Sequence, residues 1–531
     1  MSIFLGVELG STRVKAVAID TCGNLLATGD FRWENQLIQF EGVEGGIWTY
    51  ALDEAWRALR RSLSRLASDY KKKYGKPFEE IGAIGISAMM HGYLVFDKND
   101  AQLTDFRTWR NTMTAQSAKL LSEAFDVNIP ERWSIAHLHR AVAAGEPHVK
   151  DIAFMTSLAG YIHYKLTGEK IVGINEGSGI FPIIADSRTN DYDSEKIDKF
   201  DALISEYNMP WKLRDILPKV KCAGEHGGNL TREGLKLIDP NRRFSIKPGT
   251  PLCPPEGDAG TGMVATNTVS PGMGNISAGT SVFAMLTLDK KLQKTHPQID
   301  TIATPMGMPV AMVHCNNFTS DLDAWVNMIY SVVKSGKSSL KKDSIYRILY
   351  DLALFGDPDC GGLVTVNYIS GEHMTGFTEG RPLVVRMPDT DLSASNFLRS
   401  LIFSAMATLR MGMDILTKEE GIKISKLIGH GGFFKTPVVG QWLMAAALGI
   451  PIAVMESAGE GGPWGMALLA AYSAIKNDGE TLEEFLNKRI FDRIKISTKE
   501  AEQRDAKGFE RYFQRYKKAL KVERAAIEEI K

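Results

Sequence analysis

Two short segments constrain this chain more than anything else in it. Near the start, Glu8-Leu9-Gly10-Ser11-Thr12 sits between the apolar runs Ile3 to Leu9 and Val14 to Ile19. Early in the second half, Ser277-Ala278-Gly279-Thr280-Ser281 sits between Gly274-Asn275-Ile276 and the run Val282 to Leu286. Both read as strand, glycine with small hydroxyls, strand. Two such hairpins, one opening each half, predict duplicated domains that face each other. The length permits this, because 531 residues exceed what one hydrophobic core holds.

Between the hairpins the pattern alternates. Asp20 to Asn24 is a turn signal and Leu25 to Thr28 a third strand. Leu52 to Tyr74 reads as a helix, with Ala55, Leu59, Leu63 and Leu66 on one face. Ile81 to Ser87 reads as a buried strand. The stretch from Pro130 to Ser245 is mixed, with a helix-like Ser157 to Leu166 and the turn-rich Thr189-Asn190-Asp191. Ile246 to Pro255 carries three prolines in its last five residues and reads as a linker. The expected domains are therefore residues 1–252 and 253–531. Helical patterns over Asn396 to Leu416, Val438 to Leu448 and Pro463 to Ile475 fill the second half. Lys499 to Ile530, with Phe509, Tyr512, Phe513, Tyr516 and Leu520 at helical spacing, reads as an amphipathic helix packed on it.

Composition excludes some partners. Lys+Arg and Asp+Glu number 63 each, so no basic excess points to nucleic acid or to a membrane surface. Five scattered cysteines with no CxxC pair suggest reduced thiols, without a zinc site or a disulfide framework. The N-terminus has no basic n-region, and its apolar run breaks at Glu8. The longest apolar stretch, Met444 to Met455, is too short to span a bilayer. A cytoplasmic protein is expected.

No GxxxxGK[ST] is present, so a P-loop is not indicated. The hairpins offer another phosphate cradle. Gly10 and Gly279 let the backbone approach closely, the hydroxyls of Ser11, Thr12, Thr280 and Ser281 can donate, and Lys15 can add positive charge. Either hairpin alone also reads as an ordinary turn. Glu8 lies among apolar neighbours, where a carboxylate must be paired, hold a metal or reach solvent at the strand end. Gly257-Asp258-Ala259-Gly260 leaves one carboxylate accessible among small residues; such an Asp also caps turns and helices. Met90-His91-Gly92 and Phe106-Arg107-Thr108-Trp109-Arg110-Asn111 can bind a polyol by stacking and hydrogen bonds, although a lone His is as readily structural. Gly429-His430-Gly431-Gly432-Phe433-Phe434-Lys435-Thr436, between a strand and a helix, opens a crevice for a flat purine. Glu460-Gly461-Gly462-Pro463-Trp464-Gly465 opens the next helix in a similar way.

In this order the motifs resemble those of the FGGY carbohydrate kinases over essentially the whole chain. The most specific are GDAG, SAGTS, YISGE at Tyr368 to Glu372, GHGGFFKTPVVGQW and GGPWG. By its Met90-His91-Gly92 loop the chain is most similar to the xylulokinase branch. The resemblance implies an α/β fold of two actin-like (RNase H-like) domains, mixed sheets flanked by helices, with ATP and sugar in the cleft between them. It implies Asp258 as catalytic base and Met90, His91, Trp109 and Arg110 around the sugar. Gly10, Ser11, Thr12, Lys15, Gly279, Thr280 and Ser281 would lie at the phosphates, with Gly431, Gly432, Phe433 and Thr436 at the adenosine. Glu8 would face Mg2+, and a homodimer is common in the family. This assignment puts most of the sugar site in the first domain, and the catalytic Asp with most of the ATP site in the second. Two departures stand out: the family usually has Asp at Glu8, and xylulokinases often have Asp at Asn111. D-xylulose is the first expected sugar, with L-ribulose, L-fuculose or a polyol behind it. A non-catalytic actin-like ATPase or a sugar-binding protein without turnover is the competing reading.

Overall fold

The structure, a computed structural model, describes residues 2–78, 80–184, 190–240, 244, 246–436, 438–455 and 461–531. Thr189 of the turn-rich run, Ser245, Pro437 and Glu460 lie outside the described residues. The chain divides into two units. The first contains Met1–Ser270, Asp300–Val310 and Gly459–Arg493; the second contains Pro271–Ile299, Ala311–Ala458 and Ile494–Lys531.

In the first unit, β1 (Ile3–Leu9) pairs antiparallel with β2 (Arg13–Ile19), which pairs antiparallel with β3 (Leu25–Arg32). On its other edge β1 runs parallel to β4 (Ile81–Ala88), and β4 to the short β5 (Glu256–Gly257). The resulting order is β5-β4-β1-β2-β3. Nearly every residue of β1 is buried, as expected of a strand covered on both faces. Helix α1 (Leu52–Tyr74) buries Ala55, Leu59, Leu63 and Leu66 and stops at Gly75, whose φ of 74° only glycine adopts freely. Three further helices matter to the site: α2 (Ile174–Ser178), α3 (Asp258–Ala265) and α4 (Gly462–Ile475). Helix α4 lies so close on β1 that a Cβ at Gly6 would fall 2.1 Å from the Pro463 carbonyl oxygen.

The boundary expected at 252/253 is displaced. The proline-rich run is an edge segment of the first sheet, since Ile84 N–H donates to Pro251 O at 3.0 Å and Cys253 N–H to Ile84 O at 3.2 Å. Asp258 and its GDAG motif therefore belong to the first unit, not the second, and so does the helix that GGPWG opens.

In the second unit, β6 (Met273–Ala278) and β7 (Val282–Thr287) form an antiparallel hairpin. They lie in one sheet with β8 (Pro309–Cys315), β9 (Lys426–His430), β10 (Ile452–Met455) and β11 (Ile496–Lys499), in the order β8-β7-β6-β9-β10-β11. Strand β9 runs parallel to β6. Each unit thus has an antiparallel hairpin with a Gly-hydroxyl turn and a parallel strand beside its first member, which is the topological counterpart of the sequence repeat. The helices Ala394–Asp414 and Gln503–Glu529 pack together through Phe403 and Phe509, whose ring centroids are 4.9 Å apart. Among the described residues, no helix is long and apolar enough to cross a membrane. All five cysteines are free thiols.

Candidate active site

Asp258 stands where β5 turns into α3, as the first residue of that helix and exposed to solvent. Its Oδ1 accepts the Met90 backbone N–H at 3.3 Å. Protein packed behind it raises its pKa to about 6, and the N–H groups of Met90 and Ala259 pull it back. The flanking glycines answer close approach. A Cβ at Gly257 would lie 2.1 Å from Met90 Cγ, and one at Gly260 would lie 2.5 Å from Asn175 Oδ1. Neither glycine has a positive φ.

Glu8, near the end of β1, faces the first turn of α4, where a Cβ on Gly462 would fall 1.6 Å from its Oε2. Burial first, then the negative charge of Asp258, pushes the Glu8 pKa up to about 8; Lys15, opposite it on β2, opposes this. Among the described residues, no three His, Cys, Asp or Glu side chains are grouped to hold a metal ion. Magnesium bound mainly by phosphate oxygens and water needs only one or two carboxylates. Glu8, with the like charge of Asp258 nearby, fits that demand.

The turn Gly10-Ser11-Thr12 is braced by aromatic side chains. Trp33 Nε1 donates to Gly10 O at 2.7 Å, and Tyr50 OH donates to Ser11 O at 2.5 Å. Trp109 Nε1 donates to Ser11 Oγ at 3.0 Å, and the Arg110 guanidinium lies 3.9 Å from the Trp48 ring centroid. Trp109 and Arg110, expected at the sugar, are thus tied to the Gly10-Ser11-Thr12 turn and to Trp48. Asn111 explains one departure. Its Oδ1 accepts Trp48 N–H at 2.8 Å, and its Nδ2 donates to Trp48 O at 2.8 Å. A carboxylate has no donor for the second bond.

His91 is buried at φ 69°, with Nδ1 3.2 Å from Gly179 O. A carbonyl oxygen only accepts, so Nδ1 carries the hydrogen and Nε2 is left as an acceptor. Burial, helped by the Arg132 charge, lowers the ring's pKa to about 3 and keeps it neutral. Arg132 is itself ion-paired with Asp300.

In the second unit, the turn after β6 is held by the loop following β8. Phe318 N–H donates to Thr280 O at 3.0 Å, and Thr319 Oγ1 donates to Gly279 O at 2.9 Å. Thr280 is exposed and Ser281 half-buried. Gly431, at φ 95°, sits on this hairpin: a Cβ there would lie 2.5 Å from Ala278 O. Gly432 has open space where a Cβ would point, and Thr436 is half-buried. Phe433 is different, because its ring is buried edge-on to Phe318 at 5.3 Å and to Tyr350 at 5.8 Å. That ring belongs to the core, not to a purine platform.

With this geometry in view, the comparison with known proteins is decisive. The FGGY family of carbohydrate kinases matches twice, its N-terminal domain over residues 3–239 and its C-terminal domain over residues 274–474. The chain belongs to this FGGY family. It is a carbohydrate kinase, a phosphotransferase with an alcohol group as acceptor. The xylulose kinase of Haemophilus influenzae is 22% identical over 507 residues, covering 86% of this chain and 91% of that protein. Among solved structures, the xylulose kinase of Rhodospirillum rubrum superposes with a TM-score of 0.77 at 16% identity, covering 98% of both chains. The gluconate kinase of Lactobacillus acidophilus gives 0.76 at 16%, again with 98% of both. These structures share the kinase's fold.

One segment of the kinase escaped the sequence reading, and the YISGE motif was read there without a role. Gly173–Gly179 touches both the Asp258 corner and the Met90-His91 loop; its signal was a lone Glu176 among small residues. Glu372 of YISGE is fully buried, and its Oε2 accepts the N–H groups of Asn316 at 2.8 Å and Asn317 at 3.1 Å, and the Asn317 side-chain amide at 3.2 Å. It thereby holds the loop that carries the second hairpin.

Proposed function

We propose that this kinase transfers the γ-phosphoryl group of ATP to a hydroxyl of a neutral ketopentose, D-xylulose first, with Asp258 as the base. The observation that carries the reading is the bond from Met90 N–H to Asp258, which joins the base to the sugar-binding loop. At neutral pH a carboxylate titrating near 6 is ionised and can accept the hydroxyl proton as the new O–P bond forms. The Nε2 of neutral His91 accepts a second sugar hydroxyl. Arg132, the cation acting on His91, is committed to Asp300, which favours an uncharged sugar over an acid such as gluconate.

Phosphoryl transfer asks chiefly for positioning and charge stabilisation. Backbone N–H groups and hydroxyls at Gly10–Thr12 and Gly279–Ser281 suit phosphate oxygens, and Lys15 adds charge. Gly431, Gly432 and Thr436 border the adenosine on this reading. Glu8 would hold nucleotide-bound Mg2+, which supplies neutralisation of phosphate charge when present. A coupled assay of ADP release across ketopentoses, ketohexoses, polyols and gluconate tests the proposal. Fastest release with D-xylulose is expected. ATP hydrolysis indifferent to sugar would overturn the kinase reading, and a preference for gluconate would overturn the neutral-sugar reading.

A further inference from the structure

The segment Gly173–Glu176 grips Pro255–Gly260 at three points. Gly173 N–H donates to Pro255 O at 2.6 Å, Glu176 N–H to Glu256 Oε2 at 3.2 Å, and Gly260 N–H to Asn175 Oδ1 at 3.0 Å. At the middle point two carboxyl groups meet inside the protein. Glu176 is 0% and Glu256 1% exposed. Each is seated on a glycine of the opposite segment. A Cβ at Gly173 would lie 2.2 Å from the Glu256 carboxyl carbon, and one at Gly257 would lie 2.6 Å from Glu176 Oε2.

Their polar atoms are poorly served. Among the described residues, neither oxygen of Glu176 nor Oε1 of Glu256 has a hydrogen-bond partner. Ser157 is near enough to Glu176 to favour its charged form without meeting that geometry. The titratable groups that face the pair are Asp258, the Tyr192 hydroxyl, and the thiols of Cys222 and Cys253. None of the groups acting on either carboxyl is a cation. Two carboxylates buried side by side with no cation acting on them are not sustainable; such a pair keeps a proton.

We propose that Glu176 and Glu256 form a proton-holding carboxyl pair that positions the Asp258 corner and releases it when alkaline pH strips the pair. Burial, then the Asp258 charge, pushes Glu176 up to about 8, and burial pushes Glu256 well above the ordinary carboxylate range. Once ionised, the two groups repel each other and Asp258, against the three backbone contacts that hold the corner. Folding is linked to the same protons. A carboxyl raised from 4.5 to about 8 holds a proton in the folded state that the unfolded chain has released. Its contribution to stability therefore falls as pH rises through that window and levels off above it.

The kinetic part of this inference rests on Asp258 as the base; the thermal part does not. The full-length kinase and its Glu176→Gln and Glu256→Gln variants are compared by melting temperature and by turnover between about pH 5 and 9. An amide mimics the protonated carboxyl at every pH. Either variant should therefore lose less stability than the parent as pH rises, and its alkaline fall in turnover should move up by about one pH unit or more. Thermal profiles parallel to the parent's would overturn the proton-holding pair. A flattened thermal profile with an unmoved alkaline limb would overturn the positioning role. If neither variant folds, infrared spectra of the Glu8→Gln variant, which removes the other carboxyl held near 8, decide: a protonated-carboxyl band that persists at pH 7 and fades above pH 8 is expected, and its absence at pH 7 overturns the pair. Absence of sugar turnover in the parent would count against the kinase reading alone.

Discussion

Each unit buries a glutamate beside its working hairpin or corner, and the two are served in opposite ways. Glu372 in the second unit gathers three N–H donors on one oxygen and a fourth, from Met374, on the other at 3.4 Å. Glu176 and Glu256 in the first leave three of their four carboxyl oxygens without a hydrogen-bond partner among the described residues. A carboxylate that accepts several N–H bonds can stay charged in the interior, whereas one without them must keep its proton. The second unit therefore fixes its hairpin by a knot of hydrogen bonds on one buried side chain. The first holds Asp258, the proposed base, with groups whose grip would change with pH. A fixed cradle would suit the proposed nucleotide, the same in every cycle; a tunable corner would suit the proposed proton acceptor.

The largest test removes the acceptor itself. Asp258→Asn should lower turnover by ~10²–10⁴-fold, the usual contribution of a positioned base. Calorimetric affinity for ATP should be unchanged, and near-normal turnover would take the role away from Asp258. Next, Glu372→Ala strands several buried donors at ~1–3 kcal/mol each. A fall in melting temperature with a raised KM for ATP and an unchanged sugar affinity is expected; a shift in sugar affinity would show that the knot does not belong to the nucleotide side. The third test is acid pH. Because Asp258 must be ionised to accept a proton and titrates near 6, kcat/KM should drop below that pH, about tenfold per unit. A flat profile down to pH 5 would place the proton elsewhere. The smallest effect is expected from Trp109→Phe, which deletes the bond to Ser11 Oγ at ~1 kcal/mol, about fivefold in kcat/KM. An effect confined to sugar KM would return Trp109 to the sugar pocket.

Long periodic elements were legible from residues alone. The helix expected around Leu52 to Tyr74 from its apolar spacing is present over Leu52–Tyr74, and β1 and β2 flank the Gly-hydroxyl turn as expected. The ownership of Asp258 was not legible. Strand β5 has two residues and no period to read, and prolines that resemble a linker instead lie along an existing strand. Phe433, expected at the adenosine from the resemblance, packs in the core against Phe318 and Tyr350, a placement that its glycine neighbours in the sequence do not foretell. The carboxyl pair was invisible for a third reason. Glu176 and Glu256 are far apart in sequence, and burial without a partner is a property of the folded pair.

The late return of the chain to the first unit has a consequence for biosynthesis. Glu8 is made roughly 450 residues ahead of the helix whose opening glycine it rests against, Gly462–Ile475. Domains generally fold as units while the chain leaves the ribosome, at ~5–20 residues per second. This one must wait for all of those residues, with the face of β1 around Gly6 uncovered until α4 arrives. A fragment ending at Ser270 would contain Glu8, Met90, His91 and Asp258 and still lack the lid of its own core. The nascent chain thus cannot cover the Glu8 face of its first sheet before α4 has been made.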